Sequence, residues 1–391
     1  MKVDVVVVGA RCAGAATALL LARAGARVLL IDKGRYGTDS LSTHALMRGG
    51  VLALHRWGVL PAIVSAGTPP VQSTTFSYSH HDITVPIEER FGVSALYAPR
   101  RALLDRILVD AAADGGAEVA HGVRLDDLIV DERGRVRGVA VLWGGARRHI
   151  HADMVVGADG LYSTVAQRVR AHDVVVGRHA AGVLYTYWHG LPSAGYYWKF
   201  QPGASIGAIP TNDGATCVFA SVPAQRFREE ARGNAISAYR RFIREVSPSF
   251  DATLEDAACA EPVRGFGGHV GFIKSSAGPG WSLVGDAGYF KDPITAHGIT
   301  DALRDADLLT RAILDGTTAA MSGYERTRHD LSRRLFELSD EIASFDWSDE
   351  QVQSLHRAFS AEMSREVRAL AALPPLPCLV PSAAAPHALR S

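Results

Sequence analysis

The 391-residue sequence carries only four cysteines, Cys12, Cys217, Cys259 and Cys378, and no two of them form a CxxC pair. That spacing suggests neither a zinc site nor a disulfide framework, and the thiols are read as reduced. Net charge is also missing, with 41 basic residues against 41 acidic ones. Nucleic-acid binders concentrate basic charge, so no nucleic acid is expected as a partner. No run approaches the ~18 apolar residues that a membrane span needs. The early apolar run at residues 3 to 8 leads straight into a glycine turn, which is not the pattern of a signal peptide. A cytoplasmic protein, monomeric or homodimeric, is expected. There is no internal repeat, no convincing Ser-His-Asp order and no metal cluster, so no metal is expected.

The chain is 47% hydrophobic, enough for an ample core at a length that suggests two closely packed domains. Its most informative stretch is the first. Residues 3 to 8 read as an apolar strand, followed at once by Gly9-Ala10-Arg11-Cys12-Ala13-Gly14 and an Ala/Leu-rich helix over residues 15 to 24. A second apolar strand, 28 to 31, ends at Asp32, with Lys33 beside it. Such a βαβ unit sets helix N–H groups against a dinucleotide pyrophosphate, and the acid can accept hydrogen bonds from a ribose diol. One departure stands out: the middle glycine of the turn is Arg11.

Further along, Ser42-Thr43-His44 precedes a helical stretch through Trp57, with Ser42 or Thr43 as its expected cap. Residues 73 to 87 alternate as strands do and read as inserted sheet. Arg100 and Arg101 open another helix, and a strand at 154 to 157 runs into Asp159-Gly160. Residues 182 to 222 read as successive strands rich in aromatics, including Tyr185, Tyr187, Trp188, Tyr196, Tyr197, Trp198 and Phe200. A strand at 281 to 284 meets Gly285-Asp286, then Pro293, His297 and Gly298, and a helix begins near Ile299. Helical patterns continue to about Leu370, before a Pro/Ala-rich tail expected to fray.

Three separated motifs in this order resemble FAD-dependent group A monooxygenases, the para-hydroxybenzoate hydroxylase superfamily, over residues 1 to about 330. The resemblance implies an α/β fold: a doubly wound, Rossmann-like FAD-binding domain, an inserted β-rich substrate domain and C-terminal helices. The expected parts are 1–72, 98–176 and 266–330 for FAD, 73–97 and 177–265 for substrate, and 331–391 for the C-terminal helices and tail. It further implies that Gly9 to Gly14 and Asp32 hold the ADP half of FAD and that Arg101 reaches toward the pyrophosphate. Asp159-Gly160 matches the family's central motif, associated with FAD and nicotinamide cofactor. Asp286 would hold ribityl or ribose hydroxyls, and Ser42, Thr43 and His44 would lie near the flavin end. The helix after Gly298 would present its N–H groups to the flavin's negative edge, with Pro293 fixing the entry and Ile299 following. Where the family usually shows Gln and Asn, this chain has His297 and Thr300.

The activity so implied is oxygenation of a small aromatic or polycyclic substrate, using NAD(P)H and O2 through a flavin hydroperoxide. A geranylgeranyl-reductase-type flavin reductase of isoprenoid double bonds shares the three motifs and is the alternative. A flavin-dependent halogenase or a non-catalytic dinucleotide-binding protein stands further off. The aromatic strands are the expected pocket walls. His189, Lys291 and His297 are the candidate acid/base residues. The C-terminal helices either close the substrate pocket or form a dimer face.

Overall fold

The computed structural model describes residues 2–79, 81–192, 195–231 and 233–377. Cys378 and the Pro/Ala-rich tail lie outside the described residues. The first sheet is built on the opening strand, Lys2–Val8, which pairs in parallel with Val28–Asp32 on one side and Ala146–Gly157 on the other. Glu118–His121 and Trp281–Leu283 extend the parallel order outward. These strands are nearly continuous Val, Leu and Ile because helices or strands cover both of their faces. An antiparallel meander, Arg124–Val130 and Val136–Trp143, continues from the long Ala146–Gly157 strand.

Helix Cys12–Arg23 is apolar around almost its whole circumference and is buried accordingly. It packs between helices Arg101–Asp114 and Gly298–Asp315. The expected cap at Ser42 or Thr43 is not what forms. The helix begins later, at Arg48, behind Met47, which supplies no side-chain cap. His44 sits in a left-handed conformation (φ 50°), and the Ser42 hydroxyl accepts from the His44 N–H at 3.0 Å, so residues 42–47 form a separate turn ahead of the helix.

The second sheet holds Ala181–His189, Ala215–Pro223, Ala204–Pro210 and Tyr196–Gln201 as an antiparallel run. Residues 73 to 87 join it: Ser73–Ser77 pairs in parallel with Tyr196–Gln201, with Trp198 opposite Phe76, and Asp82–Pro86 forms the outer edge. One face of this sheet packs on helix Ala235–Val246, where Trp188 Nε1 donates to Tyr239 Oη at 2.9 Å. A small third sheet ties Asp173–Val176 to Phe272–Lys274 and Tyr289–Phe290. Helices Thr318–Ile342 and Asp349–Ala372 follow, the latter started by a reciprocal Ser348/Gln351 cap. They settle against the open face of the second sheet, where Trp347 meets Phe200 edge-on with ring centres 6.4 Å apart. Helix Asp349–Ala372 forms one wall of the cavity described below. No described helix is long and apolar enough to cross a membrane.

Candidate active site

The dinucleotide turn is built to tolerances only glycine meets. Gly9 has φ 108°, and a Cβ there would stand 2.3 Å from the Ala158 carbonyl oxygen; one at Gly14 would stand 1.8 Å from the Gly9 oxygen. Asp32 accepts from the Ala10 N–H at 2.7 Å and the Gly34 N–H at 2.6 Å, so the carboxylate is oriented at the mouth of the turn. Each oxygen retains a lone pair for a ribose hydroxyl. Lys33 is exposed beside it. Arg11, in place of the middle glycine, swings aside: its guanidinium donates to the Thr38 carbonyl at 2.8 Å and pairs with Asp105 at 3.0 Å.

Asp105 also takes Arg101 at 3.1 Å and the Cys12 thiol at 3.2 Å. Burial pushes that thiol far above its ordinary range. Burial works against the Arg101 charge as well, but Asp105 more than offsets it and holds the guanidinium protonated. Arg101 Nε is buried without a partner. Nearby, Asp286 is open to solvent yet so crowded by protein that its carboxyl is pushed up to about 6, with Arg101 opposing the shift. No hydrogen bond to its carboxylate forms among the described residues. An unpartnered guanidinium nitrogen beside an unpartnered carboxylate, at the end of a dinucleotide turn, suits FAD: phosphate oxygens for the first and a hydroxyl for the second.

Asp159 is placed otherwise. Both of its oxygens are used within its own turn, one by the Ser163 hydroxyl and the other by the Thr164 and Val165 N–H groups, with Gly160 beside it at φ 79°. His44 is buried. Its Nε2 lies 3.1 Å from Tyr187 Oη, its Nδ1 has no partner, and burial with Arg100 nearby pushes its pKa down to about 3, so the ring is neutral. Tyr185 Oη accepts from the Ser42 N–H at 3.1 Å. Thr43, half-buried, lies between them.

At the far end of the cleft, Asp292 and Pro293 open a short turn that reaches Ala296 in a left-handed conformation (φ 49°) and delivers Gly298 as the first residue of its helix. Gly298 is exposed, with open space where a Cβ would stand, and Ile299 is half-buried against the core. The helix N-terminus therefore faces free volume, as a flavin edge requires.

Beside this turn opens a cavity of about 520 Å³. Its floor is Phe76, Tyr78, Trp198 and Phe200 of the second sheet; His356, Phe359, Met363 and Val367 form the opposite wall. Ile294 and His297 close it at the end beside the Gly298 turn, and the exposed side chains of Ile83, Val85 and Phe91 rim it. Of the aromatic strands, Trp198 and Phe200 line the cavity. Tyr185 and Tyr187 face the 39–44 loop instead, and Trp188 faces the helix beneath.

The acid/base candidates separate in space. His189 is exposed at a strand end, paired with Ala258 and away from the cavity. Lys291 is buried in an ion pair with Asp301, and burial lowers its pKa. His297 belongs both to that cluster and to the cavity wall: Nδ1 is 3.2 Å from Asp301 and Nε2 is 3.0 Å from Glu366. Burial and Lys291 disfavour its charge, but Glu366 and Asp301 prevail and raise its pKa. Arg304, fully buried, bridges Asp301 and Glu366 at 2.8 Å each. His297, Asp301 and Glu366 are close enough to share a cation; Lys291 and Arg304 already neutralise those carboxylates. The sequence reading missed Asp105, Asp301, Arg304 and Glu366. The 297/301/304 spacing on one helix was a usable signal; nothing local marks Glu366.

A family profile described as an FAD binding domain matches residues 2–339. The chain belongs to that family. Among its relatives are the digeranylgeranylglycerophospholipid reductase of Methanothrix thermoacetophila, 27% identical over 83% of this chain and 81% of the other, and the menaquinone reductase of Mycolicibacterium smegmatis, 27% identical over 81% and 77%. A solved structure of PqsL, a probable FAD-dependent monooxygenase from Pseudomonas aeruginosa, superposes with a TM-score of 0.74 over 93% of this chain and all of that one, at 19% identity. The α/β flavoenzyme fold and membership of an FAD-binding oxidoreductase family are thereby shown.

Proposed function

We propose that the protein is an FAD-dependent reductase that saturates a carbon–carbon double bond of an extended apolar substrate held in the 520 Å³ cavity. The observation that carries this reading is the cavity's form: its floor and the facing wall are largely apolar and aromatic, but it is open to solvent at the rim of Ile83, Val85 and Phe91, which are 39%, 45% and 50% exposed. Oxygen insertion calls for a site closed against water, whereas saturation of a double bond forms nothing that water destroys. The two reductases matched along most of this chain support the same reading.

Bound FAD would supply the hydride. The protein's own residues do the rest. Asp32, Arg101 and Asp286 hold the cofactor, and the free N–H groups at Gly298 favour negative charge at its edge. Phe76, Trp198 and Phe200 hold the chain of the substrate, and the His297–Glu366 pair keeps a proton at the cavity wall. NAD(P)H is the proposed electron source.

The group A reading, oxygenation of an aromatic substrate with O2, is the second one. The extent of the match to PqsL and the aromatic cavity floor favour it. Anaerobic mixing of the reduced holoenzyme with an unsaturated polyprenyl compound tests the proposal. Reappearance of the oxidised flavin absorbance without O2 is expected; a flavin that stays reduced until O2 is admitted contradicts it.

A further inference from the structure

The cavity is unbalanced in charge. Among the described residues four arginines line it, Arg48, Arg90, Arg357 and Arg368, against one carboxylate, Glu366. Glu366 is already held by Arg304 and His297. Two of the arginines are engaged with the 88–93 segment: Arg48 donates to the Val93 and Glu88 carbonyls at 2.7 and 2.8 Å, and Arg90 pairs with Glu88 at 2.9 Å. Arg357 and Arg368 have neither a hydrogen bond nor an ion pair among the described residues. The acids near them on the same helix are occupied, Asp349 by Ser79 and Glu362 by Arg365. His356 adds no competing charge, because burial pushes its pKa down to about 4.

Arg357 and Arg368 are eleven residues apart on helix Asp349–Ala372. Eleven residues make three turns, so both return to the cavity face, separated by about 16 Å along the axis. They mark opposite ends of the wall. Arg368 follows Glu366 and Val367 at the flavin end, whereas Arg357 adjoins His356, whose ring lies 4.3 Å from Phe200 and bonds to Tyr78 Oη at 2.9 Å. An extended substrate with its reacting bond at the flavin end places its other terminus beside Arg357. Guanidinium is the group suited to a carboxylate or phosphate there, and low-dielectric walls strengthen its field.

We infer that the substrate is an amphiphile carrying an anionic group, carboxylate or phosphate, at the end remote from its reacting bond, and that Arg357 receives that group. This rests on the cavity being the substrate site.

The test uses the FAD-loaded protein and three probes of equal chain length below their micellar concentrations: dodecanoate, dodecyl phosphate and dodecanol, titrated by calorimetry. At least one anionic probe should bind about tenfold or more tightly than dodecanol, and the stronger of the two tells carboxylate from phosphate. The advantage should shrink at high salt. Arg357→Gln should erase it and leave dodecanol binding unchanged, while Arg368→Gln keeps it; both side chains are exposed, and melting curves check the fold. Dodecanol binding as tightly as both anions overturns the inference and leaves the apolar site standing, as does a preference that survives Arg357→Gln. If no probe binds to folded, yellow protein, the cavity assignment falls with it.

Discussion

His297 Nε2 lies 3.0 Å from a Glu366 carboxylate oxygen, and the two residues are 69 positions apart in sequence and fully buried. Their contact joins the start of the Gly298–Asp315 helix to helix Asp349–Ala372, so the turn proposed to meet the flavin and the wall of the cavity share one ion network. Arg304 is its hub, touching Asp301, Asp305 and Glu366.

Removing that hub leaves three buried carboxylates short of a cation. Arg304→Met should cost about 3–5 kcal/mol, the range for breaking a buried ion pair by removing one partner. Urea unfolding at fixed FAD concentration measures it, and a loss below 1 kcal/mol would contradict the buried arrangement.

Asp286 has no hydrogen-bond partner among the described residues, and the Arg101 charge is near enough to oppose the rise of its pKa. Asp286→Ala should therefore weaken FAD binding by about 10- to 150-fold, the value of a hydrogen bond to a charged acceptor. His44→Ala, whose Nε2 is engaged by Tyr187, should weaken it less. Equal dissociation constants for wild type and Asp286→Ala would remove this carboxylate from the site.

Gly298 separates folding from cofactor binding. Its Cβ position is open and its φ is unstrained, so Gly298→Ala should leave the apo-protein's melting temperature unchanged. A flavin edge packed there would meet the new methyl, at about 1–3 kcal/mol or roughly 5- to 150-fold in FAD affinity. Unaltered FAD retention would place the flavin elsewhere.

Much of the site was legible because local backbone demands write themselves into residue type. Gly9 and Gly14 are required by contacts of 2.3 and 1.8 Å that any Cβ would make, Asp32 ends the buried strand Val28–Asp32, and Asp286 sits in the short turn Gly285–Ala287 that follows the strand Trp281–Leu283. What was not legible depended on long-range packing. Alternation along Tyr196–Gln201 shows that Trp198 and Phe200 share a face, but not that this face meets the cavity while Tyr185 and Tyr187 turn toward His44. Ser42 and Thr43 have the chemistry of helix caps, yet the left-handed His44 defers the helix to Arg48. Asp159 has the motif's identity but is bonded within its own turn. Glu366 carries no local signal at all.

His356 makes acid stability a readout of the cavity wall. Its pKa is lowered from 6.5 to about 4 by burial, so the unfolded chain takes up a proton that the folded protein refuses. The stability this residue contributes is complete above pH 6.5 and declines as pH falls toward 4, by on the order of 3 kcal/mol. His356→Gln should flatten that part of the pH profile of the melting temperature. Parallel profiles for variant and wild type would show that the ring is not held neutral.

FAD and the adjoining cavity are proposed to reduce a double bond and not to insert oxygen. The direct measurement is the product mass from holoenzyme and NAD(P)H under oxygen-18 gas and, in parallel, without O2. The expected product gains two hydrogen atoms, carries no label and forms equally well in both vessels. A product that carries the label and fails to form without O2 would contradict it and make the protein a monooxygenase on the same FAD-binding fold.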